Sequence, residues 1–447
     1  MKPNILLIVV DGLRADRCSG SNRTAITPNI DSLIKNGTYF SQAISSSDGT
    51  FTCVGSLLSS CYPTKSGITT FHNHKKSTVN LEEIIKQDYK CYITAPNVSF
   101  FQTMSSKFIE KDLYDKPYVY LKGGTGNSIL KVIEKLTEPW FYYLHIMDLH
   151  RSVEFALPNE FKDKKFGVTD YDKMVSYIDE WLGKILKNIN LENTLVVFTS
   201  DHGDFIPIPS INHEINFIPN LVDKSQKIKK IMPNFLEPLG LKVYLVIRYF
   251  STKIRTKKFK KELTETEMRT LSIRGHKSMN DLFDEIFRIP LLLVGPGIEK
   301  EKEISKLVRQ IDIFPTILEL IKIDHHVQTD GKSLQILLNG QQFTENPAFI
   351  ENMSVDENKN GQSIGIRTSK FKYYRNRENS KKRVVLYDIE KDPNELKNIA
   401  IEEPKIVKKM EKLLEEFLKD ESNIKPKLRD DDKTEIIKDE LKKMGYI

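Results

Sequence analysis

Asp11 and the pair Asp201-His202 each stand where an apolar run stops. Asp11 follows Ile5-Leu6-Leu7-Ile8-Val9-Val10, and Asp201-His202 follows Asn193-Thr194-Leu195-Val196-Val197-Phe198-Thr199-Ser200. Aspartate and histidine ligate hard or borderline divalent ions, and a strand end holds such a ligand rigidly. An aspartate after a strand is also a common turn former, because its side chain bonds nearby backbone. Asp11 taken alone carries that plainer reading. Adjacent Asp and His followed by Gly203 is an unusual plain turn, and the pair points to metal. The segment His145-Ile146-Met147-Asp148-Leu149-His150 closes another apolar run. Each of its histidines alone reads as a hydrogen-bonded structural residue.

Such residues need a scaffold that gathers strand ends. Apolar strands are expected at residues 5–10, 90–95, 139–146, 193–199 and 290–294. Thr27-Pro28-Asn29 opens a helix with Ile30, Leu33 and Ile34 at apolar spacing, and another helix begins at Leu81. Met174, Ile178, Trp181, Leu182 and Ile185 predict a third helix over residues 171–188. Apolar strands alternating with helices predict an α/β fold, a mostly parallel central sheet with helices on both faces. Ligands bind beyond the carboxyl ends of such strands. That rule gathers Asp11, Asp201, His202, the segment 148–150 and the loop holding Thr50 at one edge.

The chain has 447 residues, 39% hydrophobic and 29% charged, which suits a large globular domain with a small one attached. A catalytic domain is expected over 1–344, interrupted by an insertion at 205–275. A C-terminal α+β subdomain follows over 345–420, with strands near 363–367, 372–375 and 384–387 and a helix over 404–418. Residues 421–447 form a charged tail. No apolar run reaches the ~18 residues of a membrane span, and the N-terminal run is too short for a signal sequence. The expected compartment is the cytoplasm. Cys18, Cys53, Cys61 and Cys91 lack C-x-x-C spacing and read as small core residues. The net charge of +7 is uneven: Asp223 to Lys261 holds twelve Lys/Arg against two Asp/Glu. The insertion reads as a lid or docking surface. Its stretch 225–261 reads as a solvated charged face or as a peripheral contact with the inner membrane face. No nucleic-acid motif accompanies it, so no nucleic acid is expected as partner.

The block Ser56-Leu57-Leu58-Ser59-Ser60-Cys61-Tyr62-Pro63 resembles the S-L-L-T-G-x-Y-P block of the sulfatase family. Val9-Val10-Asp11-Gly12-Leu13-Arg14 is similar to its V-V-D-D-L-R, Thr27-Pro28-Asn29-Ile30-Asp31-Ser32-Leu33 to T-P-N-I-D-x-L, and residues 198–203 to F-T-S-D-H-G. Residues 284–291, 310–316 and 386–395 resemble later family segments. The resemblance implies the alkaline phosphatase/sulfatase-like fold and one divalent metal, commonly calcium in sulfatases. It implies Asp11, Asp201 and His202 as ligands, with Thr50 facing the ion. The family nucleophile sits seven residues before the first leucine, which here is Thr50. Sulfatases usually carry Cys or Ser there, oxidised to formylglycine within C-x-P-S-R. Threonine cannot be oxidised to that aldehyde, so no formylglycine is expected. The motif reads Thr50-Phe51-Thr52-Cys53-Val54, with Val54 at the arginine position. A register shifted to Cys53 keeps Cys and Ser but breaks the leucine alignment. The family's Asp-Asp has become Asp11-Gly12. Losing that carboxylate favours Mn or Zn over Ca, with Mg a further candidate.

A metal lowers the pKa of a hydroxyl and holds the alkoxide in place. Threonine-using members of the superfamily act mostly on phosphorus esters. The resemblance therefore implies a hydrolase or transferase that cleaves an anionic phosphate or phosphonate ester through phospho-Thr50. One alternative is a sulfuric ester hydrolase. Another, of a different class, is an inactive binding protein in which Thr50 is a helix N-cap. His145–His150 looks like the H-x-x-D-x-H element of sulfatases, and Gly275-His276-Lys277 is similar to their G-H-G. These likenesses give His150 and His276 the roles of oxyanion binding and leaving-group protonation. His145, Asp148 and Lys277 become substrate-binding residues. Asn97 joins them, being near where sulfatases carry an active-site lysine. The histidines with Asp148 could instead hold a second metal, as in bimetallic phosphodiesterases.

Overall fold

The N-terminal apolar run forms strand β1 (Asn4–Val10), and every residue of it is buried. Burial of alternate residues means that both faces of the strand are covered, which is why the run is continuously apolar. Each such Leu, Ile or Val stabilises the fold by roughly 1.5–3 kcal/mol. In this computed structural model the described residues are 2–21, 23–68, 80–114, 121–150, 157–206, 264–274, 281–324, 326–352 and 362–419.

The main sheet has eight strands. With β2 (Thr38–Ile44), β3 (Lys90–Pro96), β4 (Glu110–Tyr114), β5 (Trp140–Ile146), β6 (Thr194–Thr199), β7 (Arg288–Val294) and β8 (Lys302–Arg309), the order is β4-β3-β5-β1-β6-β7-β2-β8. β1 lies between β5 and β6, parallel to both. The remaining neighbours are also parallel except β7, which runs antiparallel to β6 and β2. The expected α/β class and mostly parallel sheet are therefore present, while the strand near 290 runs opposite to the others. Its start is tied to the end of β6, where Gly203 N donates to Ile286 O at 2.6 Å. Gly203 has no room for a side chain, since a Cβ would collide with the Glu285 carbonyl.

Helix α1 (Pro28–Lys35) carries proline in its first turn and buries Ile30 and Leu33. Its free N–H groups are met by a carboxylate: Asn29 N and Ile30 N donate to Asp179 at 3.1 and 2.7 Å. Helix α2 (Thr50–Ser59) is buried along its whole length. Its Phe51, Val54, Leu57 and Leu58 join the core formed by Ile5, Leu7 and Val9 of β1. Helix α3 (Asp170–Leu186) starts with a Thr169/Asp172 capping box and buries the five apolar residues whose spacing predicts it.

The C-terminal strands β9 (Ala348–Glu351), β10 (Ser363–Arg367), β11 (Phe371–Asn376) and β12 (Val385–Asp388) form an antiparallel sheet. Helix α4 (Pro404–Lys419) buries Met410 and Leu414 among Phe349, Ile364, Ile366, Tyr373 and Leu386. Lys372 of β11 is fully buried, bonds Leu282 O at 2.8 Å and pairs with Asp284 and with Glu395, the latter at 2.6 Å.

The chain divides into two units, Met1–Asp204 with Asn280–Ile447, and Phe205–Met279. The described part of the second includes a helix over Glu265–Arg274. The basic stretch 225–261 and the tail 421–447 lie outside the described residues. Among the described residues no helix is long and apolar enough to cross a membrane. All four cysteines are buried and free.

Candidate functional site

Register places the site. Val9 of β1 pairs with His145 of β5 and with Thr199 of β6, so the three strands finish together. Asp11 leaves β1 with its N–H still donated to Ile146 O at 2.8 Å. Gly12 then turns at φ +71°, a conformation glycine adopts without strain. Tyr171 of α3 clamps this turn, donating to Gly12 O at 2.6 Å and accepting from Arg14 N at 2.9 Å.

Asp11, Thr50, His145 and Asp201 are each wholly buried, and His202 is nearly so. Thr50 Oγ1 donates to Asp11 Oδ2 at 2.8 Å. The N-cap of α2 is Gly49 and Thr50 is the first helical residue. The hydroxyl thus faces a carboxylate and does not occupy the cap position. Asp201 Oδ1 accepts from Gly12 N at 3.1 Å and His202 N at 2.7 Å. His202 Nδ1 lies 2.8 Å from Gly203 O. A carbonyl only accepts, so Nδ1 carries the hydrogen and Nε2 is turned to the cluster. His202 Nε2 lies 3.6 Å from Asp201 Oδ2, and His145 Nε2 lies 3.6 Å from Asp11 Oδ2.

Among the described residues, Asp11 Oδ1, Asp201 Oδ2, His145 Nε2 and His202 Nε2 have no hydrogen-bond partner. One donor atom from each of Asp11, His145 and Asp201 fits within 4.8 Å of the others. Buried polar atoms left unpaired are costly, and a divalent cation would satisfy them together. These residues therefore fit an ion. Electrostatics agree. Burial pushes the Asp201 carboxyl up, and the neighbouring Asp11 charge adds to it. Burial would also raise Asp11, but the charges of His150 and His202 and the His145 imidazole hold it well below the usual carboxylate range. Burial would lower His202, but Asp201 and Asp11 push it up to about 9.

Other expected residues are placed differently. His150 is buried in the turn after β5, near enough for its charge to lower the Asp11 pKa. Asp148 accepts from Leu121 N at 3.2 and 3.3 Å, and burial pushes its carboxyl up to about 7. Asn97 follows β3, and its amide oxygen accepts from Gln102 at 2.7 Å. His276 and Lys277 lie outside the described residues. Cys53 donates to Ser47 O at 3.0 Å, and burial raises its thiol pKa well above normal. Such a thiol is a poor nucleophile.

Three supporting residues escaped sequence reasoning. Ser200 Oγ lies 2.6 Å from Val10 O and from His202 O and accepts from Leu13 N at 3.0 Å, tying the end of β1 to the end of β6. Gln310 Nε2 donates to Ser200 O and Asp201 O at 3.1 and 2.7 Å. Tyr143 OH is 2.9 Å from His145 Nδ1. Ser200 and Gln310 fall in segments of family resemblance that give them no role, and Tyr143 left a local signal because residues two apart on a strand share a face.

A family model described as "Sulfatase" matches residues 3–323. A second, "N-sulphoglucosamine sulphohydrolase, C-terminal", matches residues 276–422. Arylsulfatase K of Gallus gallus is 31% identical over 139 residues, 30% of this chain and 26% of that protein. Arylsulfatase K of Mus musculus is 30% identical over 139 residues, 30% of this chain and 25% of its own length. The chain thus spans only about a quarter of these curated relatives. Among solved structures, a 2-O GAG sulfatase superposes with TM-score 0.67 at 18% identity, covering 97% of this chain and 96% of its own. The phosphonate monoester hydrolase of Agrobacterium radiobacter superposes with TM-score 0.65 at 16% identity, covering 94% and 96%. At these identities the superpositions speak for the fold.

Proposed function

This chain belongs to the sulfatase family, and from that premise we propose that it is a metal-dependent hydrolase or transferase of phosphate or phosphonate esters with Thr50 as nucleophile. The observation that carries the reading is the 2.8 Å hydrogen bond from Thr50 Oγ1 to Asp11, inside a buried cluster suited to a cation. Thr50 stands where the family resemblance puts the formylglycine precursor, and it cannot become that aldehyde.

Asp11, Asp201 and His202 would hold one divalent ion, which supplies charge that lowers the pKa of the Thr50 hydroxyl. Asp11 orients that hydroxyl. The N-terminus of α2 begins at Thr50 and favours an anionic group there. Thr50 Oγ gives up its proton to Asp11, the acceptor of its hydrogen bond, and forms a bond to phosphorus as the bond to the leaving oxygen breaks. His150 and His276 are the residues proposed to steady the ester oxygens and to protonate the departing alkoxide. Asp148, Lys277 and Asn97 are proposed to bind substrate. Water or an acceptor alcohol then attacks the phosphorus of phospho-Thr50 and restores the threonine.

The likeness to arylsulfatase K favours a second reading, sulfuric ester hydrolysis. Purified protein assayed on an aryl phosphodiester, a phosphonate monoester and an aryl sulfate, with Mn²⁺ or with EDTA, separates the two. Turnover of a phosphorus ester is expected, abolished by EDTA and reduced on the order of 10³-fold or more by Thr50→Ala. Mass spectrometry after a rapid quench should find the phosphoryl group on Thr50. Sulfate turnover that survives Thr50→Ala would sink the nucleophile assignment. Metal-loaded protein that turns over none of the three is a binding protein.

A further inference from the structure

We infer that His145, held by Tyr143, is a nitrogen ligand of the ion at Asp11 and Asp201, and that the site consequently takes a transition-series ion that accepts nitrogen, zinc or manganese, in preference to calcium. The inference rests on the metal reading of this site and adds a ligand and an ion class to it.

His145 has no solvent exposure, and its Nε2 has no hydrogen-bond partner among the described residues. The nearest carboxylate oxygen, Asp11 Oδ2, is 3.6 Å away, too long for a hydrogen bond. An imidazole buried merely to pair with Asp11 would close that gap, because a buried unpaired nitrogen costs about 1–3 kcal/mol. An ion between the two groups provides the partner and accounts for the spacing.

The ring is also prepared for that role. Tyr143 OH, 2.9 Å from Nδ1, holds the far nitrogen and leaves Nε2 directed at the carboxylates. This is how second-layer hydrogen bonds orient metal-binding histidines. The Tyr143 and His145 rings lie 25° from parallel, and Phe101 approaches the imidazole with ring centres 5.0 Å apart. Rotation of the imidazole is therefore restricted. Pairing of His145 with Val9 sets it beside the exit of β1. There Gly12 has no side chain to offer, and its amide is already given to Asp201.

The donors gathered among the described residues are two carboxylates, two imidazoles and the Thr50 hydroxyl. Calcium takes 6–8 oxygen ligands, and imidazole nitrogen suits zinc and its neighbours. Exchange of oxygen for nitrogen at His145 and His202 therefore sets the preference.

The test uses full-length, chelator-stripped protein titrated calorimetrically with ZnCl₂, MnCl₂ or CaCl₂, with bound metal counted by elemental analysis. Wild type is expected to bind one ion, with Zn²⁺ or Mn²⁺ at least about tenfold tighter than Ca²⁺. His145→Ala should weaken Zn²⁺ and Mn²⁺ by about 10–100-fold, and Tyr143→Phe should weaken both by about tenfold. His145→Asp, which restores an oxygen donor, should narrow the gap to calcium. Circular dichroism confirms that each variant is folded. A folded His145→Ala protein with wild-type Zn²⁺ and Mn²⁺ affinity overturns the inference, as does wild-type preference for calcium. Asp201→Ala separates the two levels: loss of binding there, with retention in His145→Ala, rejects this ligand and keeps the metal site. Wild-type protein that binds none of the three ions rejects both.

Discussion

At the scale of single residues, Asp148 carries a testable charge. Burial pushes its carboxyl from 3.8 up to about 7, although Leu121 N donates to both oxygens. The folded pKa is the higher one, so the folded protein retains a proton that the unfolded chain releases. That favours folding fully below about pH 4. The benefit is lost as pH rises through about 7, above which a carboxylate is buried. Asp148→Asn keeps an acceptor oxygen and removes the charge. Urea unfolding of metal-free protein should show the variant more stable than wild type above pH 7, by roughly 4 kcal/mol. The two should converge near pH 4. A difference that stays constant across this range would show that Asp148 is not the titrating group.

At the scale of elements, the joint between the C-terminal sheet and the segment leading into β7 is polar. Lys372 of β11 and Arg367 of β10 both pair with Asp284, and Lys372 also pairs with Glu395. The two cations hold Asp284 well below the usual carboxylate range, while burial pushes Glu395 up to about 7 despite Lys372. Removing one partner from such a group leaves its counter-charge stranded in the interior, at a cost of about 3–5 kcal/mol. Lys372→Met should therefore lower the urea midpoint strongly near neutral pH. Adding Glu395→Gln to it should recover part of the loss, because one stranded carboxylate is then gone. If Lys372→Met unfolds like wild type, the cluster does not anchor the second sheet.

At the scale of the whole molecule, the candidate ion would join the ends of β1, β5 and β6, the middle of the main sheet. A ligand bound only by the folded state stabilises it by about 2.7 kcal/mol at a hundredfold excess over Kd. Melting temperature should rise on adding the preferred ion and fall with EDTA, and Asp201→Ala should respond to neither. An equal metal response in Asp201→Ala would place the ion elsewhere. The strands at 5–10, 139–146 and 193–199 were legible because burial on both faces writes a continuous apolar run into the chain. Asp11, Asp201 and His202 were legible because a ligand at a strand end follows such a run directly, and Thr50 because its neighbours Leu57 and Leu58 resemble a family block. Pairing direction, by contrast, is a relation between distant segments. No local pattern announces that β7 runs backwards, that Gln310 reaches the Asp201 carbonyl, or that His145 faces Asp11. The sequence by itself determined the elements and the chemical kinds of residue at their ends. The tertiary structure alone decided which of those ends meet, because register and strand order arise from packing over long separations and not from local periodicity.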